Sequence, residues 1–175
     1  MVLVKKGKFR YNVVWFLLCG FFIFSIVTWV ASTANYLEFY SSLKNLYLRI
    51  DSFNYDILEF GGKTVVCVDG RFSLVHNSSY KGLVLESVYV SMFVEGEVEP
   101  FFERRFWAND IELAPHSTVS FDVENLNLTE NVDGFVNSKR EFGSVNVLVR
   151  SAVFIYVFGG PFATKVELED FYITL

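Results

Sequence analysis

The sequence predicts an all-β domain, an antiparallel sandwich, carried behind one N-terminal transmembrane α-helix. Three observations carry that reading. Val13–Ala31 is an uncharged apolar run. Beyond it, apolar side chains recur with period two in segments separated by Gly, Asn, Asp and Pro. Aromatic residues are abundant, with 20 Phe, nine Tyr and three Trp, and such side chains fit pleated, half-buried surfaces.

The apolar run reads VVWFLLCGFFIFSIVTWVA. At helical rise it spans roughly 28 Å, close to the hydrocarbon thickness of a bilayer. Trp15, Phe16, Leu17, Leu18, Phe21, Phe22, Ile23, Phe24 and Trp29 form its lipid-facing body. Tyr11 and Tyr36 flank it as an aromatic belt would. Lys5, Lys6, Lys8 and Arg10 precede it, and the first charge after it is Glu38. The positive-inside bias then places the N-terminus in the cytoplasm and the rest of the chain outside. A cleaved signal peptide is the rival, with Ser32-Thr33-Ala34 as small residues. The run is longer than a signal core of about 7–15 residues, which favours an anchor. The expected boundaries are a basic tail at 1–12, the anchor at 13–32, a neck at 33–43 and the β domain at 44–175.

The chain holds 15 basic and 20 acidic residues; four of the basic ones precede the anchor, leaving 11 against 20 beyond it. Such an acidic domain repels nucleic acid and anionic lipid. Cys19 lies in the anchor and Cys67 in a strand candidate, so the domain depends on its core rather than on disulfides. Cys67 is expected as a buried free thiol.

The elements follow in order. Residues 35–50 read as a short helical or irregular neck, then a strand from about Lys44. Gly61-Gly62 separates two strand candidates. Thr64–His76 puts Val66, Val68, Phe72 and Leu74 on one face, with a bulge or close approach at Gly70. Asn77-Ser78-Ser79 and Gly82 break the chain. Leu83–Val94 is a long strand with Val88, Val90, Met92 and Val94 on one face. Glu95-Gly96-Glu97, Asn109-Asp110 and Ala114-Pro115 read as turns. In Ser117–Glu124, Val119, Phe121 and Val123 oppose Ser120, Asp122 and Glu124. Residues 125–143 read first as a loop, with a short helix inside it as the alternative. Val145–Phe158 suits a central strand covered on both faces. Gly159-Gly160-Pro161 breaks it, and Ala163–Leu175 supplies one last strand.

The stretch Phe72-Ser-Leu-Val-His-Asn77-Ser78, followed by Gly82-Leu-Val-Leu-Glu-Ser-Val-Tyr-Val-Ser-Met-Phe-Val-Glu-Gly96, resembles the water-stress and hypersensitive-response (WHy) domain of the late-embryogenesis-abundant proteins. Leu113–Val123, Val145–Val157 and Val166–Ile173 continue the likeness, which covers roughly residues 44–175. The family's Asn-Pro stands here as Asn77-Ser78, and an Asx-turn at Asn77 is expected in its place. The resemblance implies a seven-stranded Greek-key sandwich similar to immunoglobulin and fibronectin domains. It also implies a non-enzymatic role in stress protection or in contact with protein or membrane.

No catalytic signature emerges. His76 and His116 are the two histidines, and each reads as an isolated polar residue at a strand–loop junction. Glu95, Glu97 and Glu99, and likewise Glu167, Glu169 and Asp170, lack calcium-loop spacing and read as solvated edge charges. Gly61-Gly62-Lys63-Thr64 lacks the upstream Gly of a phosphate loop. Asn77-Ser78-Ser79 and Asn127-Leu128-Thr129 are glycosylation sequons, both expected in loops. Pro100–Ala108 concentrates Phe101, Phe102, Arg104, Arg105, Phe106 and Trp107, either as an exposed interaction patch or as strand aromatics filling the core. The expectation is therefore an integral, single-pass membrane protein with no cofactor, metal or nucleic acid. Its external domain binds protein partners, protects or assembles. The alternatives are a subunit of a surface filament or envelope-spanning complex, and an envelope enzyme.

Overall fold

The computed structural model describes residues 3–157 and 163–175, with side chains at 11–156 and 163–175. The side chains of Lys5, Lys6, Lys8 and Arg10 and the expected break at Gly159-Gly160-Pro161 lie outside the described residues. The chain divides into two compact units, one running through Ser41 and the other from Ser42 to Leu175.

The first unit is helical. Helix α1 runs Leu3–Lys44, so the neck is helix throughout, without an irregular stretch. No Pro interrupts it. Its apolar window has a mean hydropathy of 2.4 with none of it buried, making it the one described helix long and apolar enough to cross a membrane. Ser25 Oγ donates to the Phe21 carbonyl at 2.9 Å, Thr28 Oγ1 to Phe24 at 2.8 Å and Thr33 Oγ1 to Trp29 at 2.9 Å. Each hydroxyl thus finds its partner one turn back, which lipid could not supply. Beyond the apolar run, the Tyr36 hydroxyl donates to that of Tyr40 at 2.9 Å.

The second unit is mostly β. In chain order its elements are β1 (Leu46–Phe60), β2 (Lys63–His76), β3 (Leu83–Val94), β4 (Phe102–Leu113), β5 (Ser117–Leu128), α2 (Asp133–Phe142), β6 (Asn146–Val157), β7 (Thr164–Glu167) and β8 (Phe171–Thr174). They form two antiparallel sheets. One has the order β1-β2-β5. The other runs β4-β3-β6, with β7 and β8 both beside β6. Strand β6 is central, as its run of apolar residues on both faces predicts.

Four boundaries differ from the sequence expectation. The first strand begins at Leu46. Asn109-Asp110 is not a turn: β4 runs through it, with φ of 53° and 61° at the two residues. Opposite, the register steps from Leu85↔Ile111 to Ser87↔Trp107, so the pair is a bulge inside one strand. The last strand is split into β7 and β8 by Leu168–Asp170. Finally, 125–143 holds the end of β5 and then α2. That helix has Val132 at its N-cap position, with no side-chain cap bond, and Gly143 at its C-cap at φ 73°, whose N–H reaches the Lys139 carbonyl. The missing Ser, Thr or Asp cap hides it from sequence reading.

The expected bulge at Gly70 is present. Pairing with β5 shifts between Val68 and Gly70, and a Cβ there would meet the Ser52 carbonyl oxygen at 3.2 Å. Alternation places Val66, Val68, Phe72, Leu74, Val88, Val90 and Met92 in one core, all buried. Phe rings join the two sheets. Phe72 stacks on Phe102 at 5.6 Å, Phe53 meets Phe102 edge-on at 5.9 Å and Phe106 meets Phe121 at 5.4 Å. Within the β domain, Phe72, Phe101, Phe102, Phe106 and Phe135 fill the core. At one end α2 closes the gap between the sheets with Val132, Phe135 and Val136. Phe135 stacks on Phe101 at 4.7 Å and meets Tyr55 edge-on at 4.9 Å.

Candidate interaction face

Strand β4 carries the aromatic-basic segment singled out above, and its alternation sorts that segment into two groups. Phe102 and Phe106 point into the core, and Phe101 is held against α2. These three are buried, so they do not belong to an exposed patch. Arg104 stays exposed. Arg105 and Trp107 emerge on the solvent side of the larger sheet, where Trp107 is 59% exposed.

Arg105 is fixed there. Its guanidinium lies 4.1 Å from the Trp107 ring centre and 4.4 Å from that of Phe154 on β6. Its Nε donates to Ser87 Oγ at 2.9 Å, and Glu86 stands 3.7 Å away. A cation held between two rings loses little freedom on binding, which suits it to a contact anchor.

The same face continues across the sheet. Tyr89 donates to Glu103 Oε1 at 2.5 Å. Burial, and then that carboxylate, push the phenol up to about 12. Arg150 lies 5.1 Å from the Phe93 ring and pairs with Asp170 at 3.1 Å, and Lys165 pairs with Glu167 at 2.8 Å. Between them opens a cleft of about 550 Å³ lined by Tyr89, Ser91, Arg150, Lys165, Glu167 and Asp170. Its cations and carboxylates neutralise one another, which favours a polar, uncharged contact over an ionic one. Burial, followed by Asp110, raises the Tyr156 phenol as well.

The remaining sequence candidates are scattered. His76 sits at a strand–loop junction, the end of β2, as expected, and is fully buried there. Its Nδ1 is 3.0 Å from the Ala114 carbonyl oxygen, and its Nε2 has no partner among the described residues. His116 sits in the β4–β5 turn at φ 52°. Cys67 is free and half-buried rather than buried, and Cys19 is exposed on α1. Asn77 is exposed in a loop, where Ser78 Oγ accepts from the Tyr80 N–H at 3.2 Å and makes the turn bond expected of Asn77. Asn127 is exposed but lies in β5, paired with Cys67, not in a loop. Glu95, Glu97 and Glu99 lie in the β3–β4 loop. Among the described residues no group of three or more His, Cys, Asp or Glu could hold a metal ion.

The Tyr89–Glu103, Arg150–Asp170 and Lys165–Glu167 pairs were not found from sequence. The alternation of Ser87, Tyr89, Ser91 and Phe93 against a Val face announces a solvent side. Which strands lie beside it depends on sheet order.

No protein-family model matches the chain, and no curated protein matches it. Among solved structures it is similar to a Northeast Structural Genomics Consortium target, at 7% identity and a TM-score of 0.47, over 74% of this chain and 86% of that one. A protein from Archaeoglobus fulgidus is 8% identical with a TM-score of 0.38, over 73% and 98%. A Bordetella pertussis protein provisionally assigned as ApaA is 14% identical with a TM-score of 0.41, over 74% and 94%.

Proposed function

We propose that the chain is a single-pass membrane protein. Its acidic β domain is held outside the cytoplasm as a non-catalytic module for binding, protection or assembly. The observation that carries this is α1, whose apolar run is free of charge and wholly exposed, with its hydroxyls bonded one turn back. The four N-terminal cations support a cytoplasmic N-terminus in the cell membrane. The strand order β1-β2-β5 against β4-β3-β6 supports a Greek-key sandwich of the immunoglobulin and fibronectin kind, as the resemblance to the WHy domain implies. The contact face on this reading is the solvent side of the larger sheet, with Arg105 and Trp107 as anchors.

The two cysteines test the topology. On intact cells, a membrane-impermeant maleimide labels half-buried Cys67 and spares Cys19. Carbonate washing leaves the protein in the membrane. Labelling of Cys67 only after permeabilisation, or release by carbonate, overturns the reading.

A further inference from the structure

The strands run between two ends. Leu46, His76, Leu83, Leu113 and Ser117 mark a near end, where β1 begins. At the far end three segments meet: the β1–β2 turn, the loop from Glu95 to Phe101, and α2 with its flanks. They are fastened together. Arg140 pairs with Glu59 at 2.5 Å, Asn131 Nδ2 donates to the Pro100 carbonyl at 3.4 Å and Asn146 Nδ2 donates to Glu95 Oε2 at 3.1 Å.

This end is apolar and acidic at once. Phe60 is 83% exposed, Val98 89%, Phe142 70% and Leu58 51%. Around them stand Glu95, Glu97, Glu99, Glu130, Asp133 and Glu141. Its cations are Lys63, Arg104, Lys139 and Arg140; Arg140 is spent on Glu59, and Lys139 donates to the Leu175 carbonyl oxygen. A cleft of about 290 Å³ opens beside Phe142 and Glu95. Another of about 510 Å³ is lined by Glu99, Glu103, Glu130, Asn127 and Asn131.

We infer that the far end docks a basic amphipathic segment of a partner protein. The inference rests on the binding reading above and names its second surface and its partner class. Exposed apolar side chains rimmed by charge mark association surfaces. The rim's sign selects the occupant. A second copy of this chain would bring two acidic rims together, and anionic lipid would be repelled in the same way. A helix with Leu on one face and Lys on the other satisfies both features.

The test uses the full chain in phosphatidylcholine nanodiscs, whose lipid carries no net charge, with empty nanodiscs as the blank. The probe is a labelled amphipathic peptide of Leu and Lys, followed by fluorescence anisotropy at about 20 and about 300 mM salt. Saturable binding is expected, weaker at high salt. Phe60→Ser with Phe142→Ser should weaken it about tenfold or more. Glu95→Gln with Glu97→Gln and Glu99→Gln should weaken it at low salt and flatten its salt dependence. Tyr47→Ser, at the near end, should leave it unchanged, and a Leu/Glu peptide should not bind. The inference is overturned by absence of saturable binding, by equal binding of the Leu/Glu peptide, by a Phe double variant that binds as the parent does, or by self-association through Phe60 and Phe142. Labelling of Cys67 only after permeabilisation would overturn the topology without moving the anisotropy, so the two failures are distinguishable.

Discussion

The two ends of the β domain close in different ways. At the near end the connecting segments are tied to one another: the Asn77 N–H donates to the Asn45 carbonyl at 3.1 Å, the His116 N–H to the Ser78 carbonyl at 3.1 Å and Ser117 Oγ to the Ala114 carbonyl at 2.6 Å. Among the described residues of that end, Tyr47 is the most exposed large apolar side chain, at 46%. The far end closes with a helix, yet it leaves Phe60, Val98 and Phe142 in solvent. Closure alone therefore does not account for the apolar residues of the far end. Phe135 does the closing, and Phe142, seven residues on, adds nothing to it.

The largest effect should come from that closing residue. Phe135 is fully buried between Phe101 and Tyr55. Phe135→Ala should cost about 3–5 kcal/mol through lost burial and a cavity. A urea titration of the full chain in detergent, followed by tryptophan fluorescence, would show it as a lower midpoint. A cost near zero would mean that α2 is not part of the core.

The near end should give a smaller effect that depends on the substitution. His76 is buried with one ring nitrogen unpartnered, and the Ala114 carbonyl it faces also accepts from Ser117. His76→Ala should therefore cost about 2–3 kcal/mol, mostly as a cavity. His76→Leu fills the space and orphans no acceptor, so it should cost under about 1 kcal/mol. Equal losses in the two variants would show that the imidazole hydrogen bond, not its volume, holds this end.

Sequence made part of this contrast legible. The anchor part of α1 follows from the length of its uncharged apolar run, and the Gly70 bulge and the inward faces of β2, β3 and β5 from apolar alternation and glycine's lack of a side chain. Helix α2 did not, because its ten residues lack a capping side chain. Asn109-Asp110 misled because turn residues also serve bulges, where a positive φ is needed inside a strand. Within the Pro100–Ala108 segment, composition could not separate Phe102 and Phe106, which face the core, from Trp107, which faces water. Only the strand's phase does that. On the larger sheet's outer face, Arg150–Asp170 joins β6 to the segment before β8 and so depends on sheet order, whereas Lys165–Glu167 lies within β7.

Between the ends, pH should move stability by smaller amounts and on opposite sides. The Tyr89 phenol is raised to about 12 by burial and then by Glu103. A raised folded value means that its contribution is fully present below the ordinary tyrosine range near 10. It is lost as pH rises through about 12. Glu103→Gln removes the carboxylate, and the Tyr89 step in an ultraviolet titration, isolated by subtracting Tyr89→Phe, should move to lower pH. On the acid side, a hydrogen bond from Ser73 and then the Arg49 guanidinium hold the Asp51 carboxyl below its ordinary range. That contribution is present above the ordinary aspartate value and disappears as pH falls through the lowered one. Ser73→Ala should shrink this acid-side loss and leave the alkaline side unchanged.

The smallest effect on stability falls on the most exposed part of the molecule. Phe60 and Phe142 bury little, so Phe60→Ser and Phe142→Ser should each stay within about 0.5 kcal/mol of the parent. In Phe142→Ser the αL cap at Gly143, a backbone feature, persists and keeps α2 in place. The comparison with Phe135→Ala is then a sharp one, because two Phe residues of one short helix differ only in whether the core covers them. If Phe142→Ser destabilises the chain by 2 kcal/mol or so, its ring packs in solution and the far end is closed more tightly than its exposure implies. If it does not, the ring is available to something other than the fold, and the peptide titration reports what.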